Sequence, residues 1–414
     1  MSRYLFPVSC FPLRVSLQFL LSALCFLLSV SLSPALHNLY FLMPPRHIYI
    51  HVPFCARRCS YCDFSIAVRK VVPVDEYIEA LGREIELRFS QYRVWEAETL
   101  YLGGGTPSLL GAEGIERLLE LVRGRVKLTE DAEVTVEANP DDVTVDAVAA
   151  WRGAGVNRLS IGAQSFDPRA LAWMHRTHSA EQIVAALEAA REGGIENISL
   201  DLIFALPESL GRNWRRDVER ALELRPTHVS LYGLTVEPAT PLGRWRDRGD
   251  VIEAPEERYE AEFLEAHELL GTAGFEHYEV SSYSLRGLRS RHNSSYWRRV
   301  PYAGLGPAAH SFDGARRRWN IAAYAAWESA LREMRDPLGG EEVLTGEEAD
   351  AERVYLDLRR MEGLPMGPEV AQHVHAWVAA GWAVIDRTRV RLTPTGWLRL
   401  DALASNLTAA GSPF

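Results

Sequence analysis

The chain has 414 residues, of which 47% are hydrophobic and 24% are charged, and its formal net charge is −10. This composition is ordinary for a soluble globular protein, and the length allows more than one domain. An acidic chain without a long basic stretch argues against nucleic acid as the main partner. There are five cysteines, three of them in one short motif, so no disulfide framework is expected.

The first 42 residues differ in composition from the rest of the chain. The stretch from Val15 to Leu36 is uncharged and mostly apolar, and it follows Arg3 and Arg14. Three interpretations are open: a signal peptide, a membrane anchor, or upstream sequence assigned to the chain by a wrong start, with translation beginning at Met43. We favour the wrong start, because export to an oxidising compartment does not suit free thiols.

A cysteine motif follows the first predicted strand, His47–Val52. Cys55, Cys59 and Cys62 have the spacing C-x3-C-x2-C, in a loop that comes directly after this run of β-branched and aromatic residues. A mononuclear zinc site would need four ligands, and there is no second cysteine pair. A [4Fe–4S] cluster has four irons, each normally held by one thiolate, so three cysteines would leave one iron open. The alternative is three unrelated buried cysteines.

The motif and its flanks, with Tyr49-x-His51-x-Pro-Phe before it and Tyr61 inside it, resemble the signature of the radical S-adenosylmethionine (SAM) superfamily. The resemblance is to the branch that contains oxygen-independent coproporphyrinogen III oxidases and HemW-type haem chaperones. It implies that Cys55, Cys59 and Cys62 hold a [4Fe–4S] cluster and that SAM binds at the open iron. Relatives of this kind start near Met43, which also favours the wrong start for the leader.

From residue 47 to about 236, strand-like and helical patterns alternate, which predicts an α/β fold with a parallel sheet and helices outside it. The predicted strands are His47–Val52, Glu98–Leu102, Glu133–Glu137, Arg158–Gly162, Ile198–Phe204 and Val229–Leu234. Amphipathic patterns predict helices at Val74–Tyr92, Ile115–Val122, Ala180–Arg191 and Trp214–Leu224. The family resemblance implies a partial (β/α)6 TIM-like barrel, whereas periodicity alone leaves a doubly wound sheet open.

We predict four segments: the leader 1–42, a radical SAM barrel at 43–236, a haem-associated extension at 237–335 and a small C-terminal domain at 336–414. Two predicted helices, a short β-pair and a last helix give the C-terminal domain a winged-helix-like pattern. Such domains often bind DNA. The predicted recognition helix has no basic run, so we favour a role in packing or as a lid.

Polar residues at the ends of the predicted strands are candidates for binding SAM. The turn Gly103-Gly104-Gly105-Thr106 lets the backbone approach a ligand closely, although a plain structural turn is the alternative. A buried strand does not readily end in a polar side chain unless that group has a partner. The candidates of this kind are Glu137, Gln164, Arg176 on the loop that follows, and Asp201.

SAM offers partners for these groups, because a guanidinium suits its carboxylate and carboxylates suit its ribose hydroxyls. The family resemblance implies that Gly104, Gly105 and Thr106 lie at the methionine amine. It further implies Glu137 and Arg176 near the methionine end, Gln164 and Asp201 at the ribose, and Tyr49 and Thr235 lining the same pocket. For each residue taken alone, a helix cap or a salt bridge is the alternative.

Two features separate the branches of the family. The coproporphyrinogen oxidases have a further cysteine two residues after the third cluster cysteine, where this chain has Phe64. The block His292-Asn-x-x-Tyr296-Trp297 is typical of the HemW group, and its imidazole is a candidate axial ligand of haem iron. His310 is the second candidate. A capped turn that packs its aromatic side chains into the core is the alternative for the block.

These resemblances predict a cytoplasmic haem chaperone that binds haem, one [4Fe–4S] cluster and SAM, and passes haem to acceptor apo-proteins. An electron donor such as a flavodoxin or a ferredoxin is expected, and membrane association of the body is not. The rival is a true enzyme, an oxygen-independent coproporphyrinogen III dehydrogenase in porphyrin biosynthesis. A radical SAM enzyme with another substrate is a third reading. Phe64 favours the chaperone.

Overall fold

The structure, a computed structural model, describes residues 44–408, except for the side chains of residues 368 and 369. The leader 1–42, with its three open interpretations, lies outside the described residues. Between residues 44 and 408, none of the helices combines the length and the hydropathy that crossing a bilayer requires.

Strands and helices alternate along the first half of the described chain. The strands are β1 His47–Val52, β2 Phe54–Cys55, β3 Ala67–Val68, β4 Glu96–Gly104, β5 Lys127–Ala138, β6 Arg158–Gln164, β7 Asn197–Phe204, β8 His228–Gly233, β9 Glu276–Glu279, β10 Ser282–Ser284, β11 Tyr302–Leu305, β12 His310–Phe312, β13 Arg316–Asn320, β14 Leu338–Val343, β15 Leu364–Pro365, β16 Ala383–Asp386 and β17 Arg389–Leu392. The helices are α1 Val74–Phe89, α2 Gly111–Arg123, α3 Val145–Gly153, α4 Pro168–Trp173, α5 Ala180–Glu192, α6 Trp214–Glu223, α7 Pro241–Asp247, α8 Glu256–Thr272, α9 Arg291–Trp297, α10 Tyr324–Arg332, α11 Gly346–Arg359, α12 Pro368–Ala379, α13 Pro394–Trp397 and α14 Leu400–Thr408.

Twelve of the described strands form one sheet, in the order β14-β13-β12-β11-β1-β4-β5-β6-β7-β8-β10-β9. The strands from β11 to β8 in this order are parallel, and the pairs at both ends of the sheet are antiparallel. β1 and β8 are not neighbours, because β11 pairs with β1 and β10 pairs with β8. The barrel of six β/α units therefore stays open, and the predicted α/β fold is confirmed.

Each predicted strand and helix of the barrel is present, and the largest difference at an end is at β5, which begins at Lys127 and not at Glu133. The outward faces of the strands are apolar, and residues such as Ile48, Leu100 and Val134 pack with the surrounding helices in one hydrophobic core. Helix α5 begins with a capping box, which is formed by Ser179 and Gln182. Local sequence and core packing agree in the barrel.

The inward faces of the same strands carry polar and aromatic residues. Tyr49 of β1 stands opposite Tyr101 of β4, and Thr99 lies opposite His47 one step nearer the amino-terminal end of the barrel. All four are buried. Parallel strands place their carboxyl ends at one rim, so this polar interior leads up to the rim where α/β proteins bind ligands.

The predicted segments 43–236 and 237–335 share the large sheet, since β9 to β13 belong to the second segment, and the last strand β14 lies in 336–414. The C-terminal part also contains the small sheet β15-β17-β16 and helices α11 to α14. A buried ion pair between Arg359 of α11 and Glu279 of β9, 2.8 Å apart, joins it to the barrel side. The domain division remains a prediction.

Candidate functional site

The three cysteines border one pocket at the carboxyl ends of the barrel strands. Cys55 ends β2 and is buried, whereas Cys59 and Cys62 are half-buried in the loop that follows. The backbone N–H of Ser60 donates to the carbonyl of Met174 (3.2 Å), which fixes this loop on the end of the fourth β/α unit. The structure thus brings the predicted cluster ligands together.

The cysteine loop fits a cluster better than a single ion. Burial raises the pKa of the Cys62 thiol to about 12 and also raises the pKa of Cys55. A buried thiol of this kind needs a cation to become a thiolate, and iron supplies one. Between residues 44 and 408, no three His, Cys, Asp or Glu side chains are grouped to hold one metal ion. In a [4Fe–4S] cluster each thiolate binds a different iron, so that grouping is not required.

The glycine-rich turn after β4 is hydrogen-bonded to the start of the cysteine loop. The N–H of Gly105 donates to the carbonyl of Val52, and the N–H of Thr106 donates to the carbonyl of Phe54, both at 2.8 Å. A Cβ atom at Gly105 would come within 2.7 Å of the backbone at Phe54. Since real Cβ atoms do not come so close, glycine is required there.

Gly104 adopts a φ of +111°, and a Cβ atom there would lie 2.5 Å from the ring of His51. Its N–H donates to Oε2 of Glu137 (3.0 Å), and the hydroxyl of Tyr101 donates to Oε1 of the same carboxyl (2.9 Å). Burial raises the pKa of Glu137 to about 7, although the bond from Tyr101 lowers it. A cationic ligand group would stabilise the ionised form of this carboxyl.

Arg176 borders the pocket and is hydrogen-bonded at the ends of β5 and β6. Its Nη2 donates to Oδ1 of Asn139 (2.6 Å) and to the carbonyl of Gly162 (3.0 Å), while Nη1 is 3.5 Å from Sγ of Cys59. Its Nε is buried and has no hydrogen-bond partner. A buried donor without a partner fits a missing acceptor such as a ligand carboxylate.

Gln164, Asp201 and Thr235 line the same pocket. Gln164 has a φ of +66° at the end of β6, a left-handed backbone that is uncommon outside glycine and concentrates at functional sites. Asp201 accepts from the hydroxyl of Ser160 (3.1 Å), and its pKa is raised by burial. Cluster cysteines, glycine turn and these polar groups therefore surround one volume.

Tyr49 lies beneath this pocket and does not line it. Its ring is 5% exposed and lies 6.1 Å from the ring of Tyr101, and its hydroxyl is 3.1 Å from Nδ1 of His51. A Cβ atom at Gly103 would touch Tyr49, so the tyrosine supports the glycine turn from below. A direct contact of Tyr49 with SAM remains a prediction.

His292 is not in the pocket either. Its side chain is 1% exposed at the opposite, amino-terminal end of the barrel. Nδ1 lies 2.7 Å from Oγ1 of Thr99, and Nε2 lies 2.7 Å from the hydroxyl of Tyr296. Trp297 is also buried, under the guanidinium of Arg359 at 4.1 Å. An axial bond from His292 to haem iron would require one ring nitrogen to give up its present partner, and that assignment stays a prediction.

His310, the second candidate haem ligand, differs from His292 in its surroundings. It is half-buried at the start of β12 and stacks on Trp319 of β13, with ring centroids 5.6 Å apart. Its Nδ1 has no hydrogen-bond partner, and burial lowers its pKa to about 4. This nitrogen is buried, but a bond to a metal would not require it to give up a hydrogen bond.

Three residues of this region were not found from the sequence. Tyr101 and Asn139 bind Glu137 and Arg176 respectively, and Trp397 lines the pocket from the C-terminal part. Asn139 lies two positions after Glu137, just past the end of the same strand, and this spacing could have indicated that Asn139 faces the same pocket. Nothing in the sequence connects Trp397 with a pocket formed by residues so far away along the chain.

Comparisons with known proteins identify the family of the chain. The family model of the radical SAM superfamily matches residues 49–221. A protein of Mycobacterium tuberculosis named heme chaperone HemW is 37% identical over 372 residues, which cover 88% of this chain and 95% of that protein. A Synechocystis protein with the same name is 38% identical and covers 82% and 84%. An Escherichia coli protein of that name is 39% identical over 65% of this chain and 70% of its own length.

Among solved structures, the coproporphyrinogen III oxidase HemN of Escherichia coli, a radical SAM enzyme, is similar with a TM-score of 0.76. The match covers 89% of this chain and 91% of that chain, at 22% sequence identity, and it shows a shared fold. With relatives above 30% identity along most of its length and a cysteine loop, glycine turn and strand-end polar groups around one pocket, the chain belongs to the HemW family of the radical SAM superfamily.

Proposed function

We propose that this chain is a haem chaperone that holds one [4Fe–4S] cluster and SAM, binds haem, and passes haem to acceptor apo-proteins. The observation that carries the proposal is the sequence identity of 37% and 38%, along most of the chain, with two proteins named heme chaperone HemW. Phe64 supports it, because the oxidase branch has a cysteine at that position.

In this proposal the thiolates of Cys55, Cys59 and Cys62 each bind one iron. The pocket groups of the chain would hold SAM beside the cluster: the carboxylate of Glu137 would bind the amine, and the guanidinium of Arg176 would bind the carboxylate. The reduced cluster supplies one-electron chemistry when SAM is bound. The protein positions SAM and keeps water from the pocket.

At the other end of SAM, Asp201 would accept hydrogen bonds from the ribose hydroxyls, and Gln164 would bind beside it. Asp201 already accepts from Ser160, which fixes its orientation before any ligand arrives. The Gly104–Thr106 turn would present backbone groups to the methionine end, and Thr235 would close the pocket after β8. These roles are tested by SAM binding to single variants.

For haem we propose an imidazole ligand from the segment that contains His292 and His310. His292 belongs to the block typical of the HemW group, whereas His310 has the ring with an unpartnered nitrogen. We also propose that the body works in the cytoplasm, where the cluster thiols stay reduced, and receives electrons from a flavodoxin or ferredoxin.

The experiment that tests the proposal uses the anaerobically reconstituted chain. A haem chaperone should bind haem with a defined Soret band and lose that band when an apo-haem protein is added, with haem appearing in the acceptor. The rival is tested in parallel with coproporphyrinogen III, SAM and a reductant. Formation of protoporphyrinogen would establish the dehydrogenase, and haem binding without transfer would contradict the chaperone.

A further inference from the structure

The helix α9, which carries the block His292-Asn-x-x-Tyr296-Trp297, closes the amino-terminal end of the barrel. The backbone N–H groups of Arg291 and His292 both donate to the carboxylate of Glu133, at 2.9 Å each. This carboxylate holds the first turn of the helix against β5, and anions are favourable at such a helix end. His292 therefore lies inside the barrel at its amino-terminal end, and the SAM pocket lies at the carboxyl ends of the same strands.

The ring of His292 is held at both edges and packed on one face. Thr99 and Tyr296 bind its two nitrogens, both at 2.7 Å. Its face stacks on the ring of Tyr101, with centroids 5.0 Å apart and an angle of 27° between the planes. Tyr49 lies beside both rings, 6.1 Å from Tyr101 and 6.4 Å from His292.

Tyr101 connects this stack with the pocket. Its hydroxyl donates to Oε1 of Glu137, whose Oε2 accepts the N–H of Gly104 in the glycine turn. A continuous series of contacts thus runs from His292 through Tyr101 to the carboxylate proposed to hold the SAM amine. A side chain held by packing and hydrogen bonds keeps its neighbour within the narrow geometry that ligand binding needs.

We propose that His292 is a positioning residue for the SAM site, because its ring fixes Tyr101 in the orientation that directs the carboxylate of Glu137 at the ligand. The inference rests on the proposed role of Glu137 in SAM binding. It gives the His-Asn-x-x-Tyr-Trp block a task at the barrel interior that does not involve haem.

His47 provides a matched control. It is a buried imidazole in the same layer, and its Nδ1 lies 3.0 Å from the same Thr99 hydroxyl. Its ring meets that of His292 edge-on, with centroids 6.5 Å apart. Among the described residues, no ring contact joins His47 to Tyr101. Replacing His47 removes an equivalent group from the barrel floor and leaves the stack on Tyr101 in place.

The experiment measures SAM dissociation constants by calorimetry on the reconstituted, haem-free chain, with iron content as the check that the cluster site is intact. We expect His292→Ala to weaken SAM binding about two- to tenfold, the range for loss of one aromatic stacking partner. His47→Ala should stay near wild type. In the Tyr101→Phe background, His292→Ala should have no further effect, because its influence passes through the tyrosine hydroxyl.

The pH dependence of SAM binding separates positioning from general loosening. Glu137 faces Tyr101, Asp201 and Arg158; the bond from Tyr101 lowers its pKa, and Asp201 raises it. Loss of the tyrosine bond should therefore move the midpoint of SAM binding to higher pH in both His292→Ala and Tyr101→Phe. His47→Ala should keep the wild-type midpoint.

Equal SAM affinities and pH midpoints in His292→Ala and His47→Ala would overturn the positioning role while leaving SAM binding itself established. If the wild-type chain with a full cluster does not bind SAM, the proposed function fails instead. Should His292→Ala lose its iron, His292→Asn takes its place, since the amide can still bond Thr99 but offers no ring to Tyr101. Wild-type affinity in that variant would equally overturn the proposal.

Discussion

The carboxylate of Glu84, in helix α1, accepts a hydrogen bond from the side-chain amide of Asn320 at the end of β13, at 2.6 Å. The same buried group also accepts from the N–H of Gly306 (2.9 Å) and from Nε1 of Trp327 (3.1 Å), and it pairs with Arg88. One side chain of the barrel therefore accepts hydrogen bonds from three residues of the extension. The extension and the barrel are joined by specific bonds as well as by the shared sheet.

Replacing Glu84 with Ala should lower the free energy of unfolding by about 3–5 kcal/mol, because Arg88 and three further donors lose their buried acceptor. The matched control is Glu79→Ala in the same helix, where an exposed carboxylate pairs with Arg83. That change should cost about 0.5 kcal/mol or less. Chemical denaturation of both variants measures the difference, and equal losses would contradict the role of Glu84.

The cluster prediction is tested at the cysteines. In Cys55→Ala, reconstitution should yield little iron and no broad visible absorption, because three thiolates are required for three irons. Cys59→Ala and Cys62→Ala should behave alike. The control replaces Cys10 and Cys25 together, which lie in the leader outside the described residues. Loss of the cluster in the control and its retention in Cys55→Ala would show that other thiols bind the iron.

The raised pKa of Glu137 predicts how the stability of the SAM-free chain depends on pH. A carboxyl with a folded pKa of about 7, above its unfolded value of 4.5, contributes stability that is fully present below pH 4.5 and is lost as pH rises through 7. Glu137→Gln lacks this titration. The difference in unfolding free energy between variant and wild type should change by up to about 3 kcal/mol between pH 5 and 8.

Denaturation of both proteins across this pH range measures that difference, in which groups common to both cancel. The same variant should bind SAM weakly at every pH, because the neutral amide of glutamine cannot form an ion pair with the SAM amine. A difference that does not change with pH would mean that Glu137 stays ionised when SAM is absent. The carboxyl would then be stabilised by more than Tyr101 and Gly104.

The identity of the haem ligand is decided by spectra of two alanine variants. If the ligand is a ring nitrogen that has no hydrogen-bond partner in the present fold, His310→Ala should shift the Soret band and change the spin state, and His292→Ala should not. The opposite result would mean that one ring nitrogen of His292 gives up its bond to Thr99 or Tyr296 when haem binds. Unchanged spectra in both variants would exclude both imidazoles. Haem affinity is a weaker measure, because burial of the porphyrin can persist without the axial bond.

Periodicity predicted the parallel sheet with its helices, and only the family resemblance distinguished a partial barrel from a doubly wound sheet. Polar residues near the strand ends indicated much of the pocket, because the carboxyl ends of parallel strands meet at one rim. Glu137 and Gln164 were found on this ground, whereas Asp201 lies inside β7 and not at its end. Tyr101 was not found, since a buried aromatic residue in a strand has the same pattern whether it packs in the core or supports a site. The partners of His292 could not be found either, because Thr99 lies far from it in sequence and is unremarkable alone.

The wall of the pocket contains Trp397 and Leu398, which follow the cysteine loop by most of the length of the chain. The ribosome adds Cys55, Cys59 and Cys62 to the chain long before it adds these two residues. The wall of the pocket is therefore complete only after the C-terminal part of the chain has been synthesised. A chain that ends before Trp397 would keep all three cysteines and lack this part of the wall.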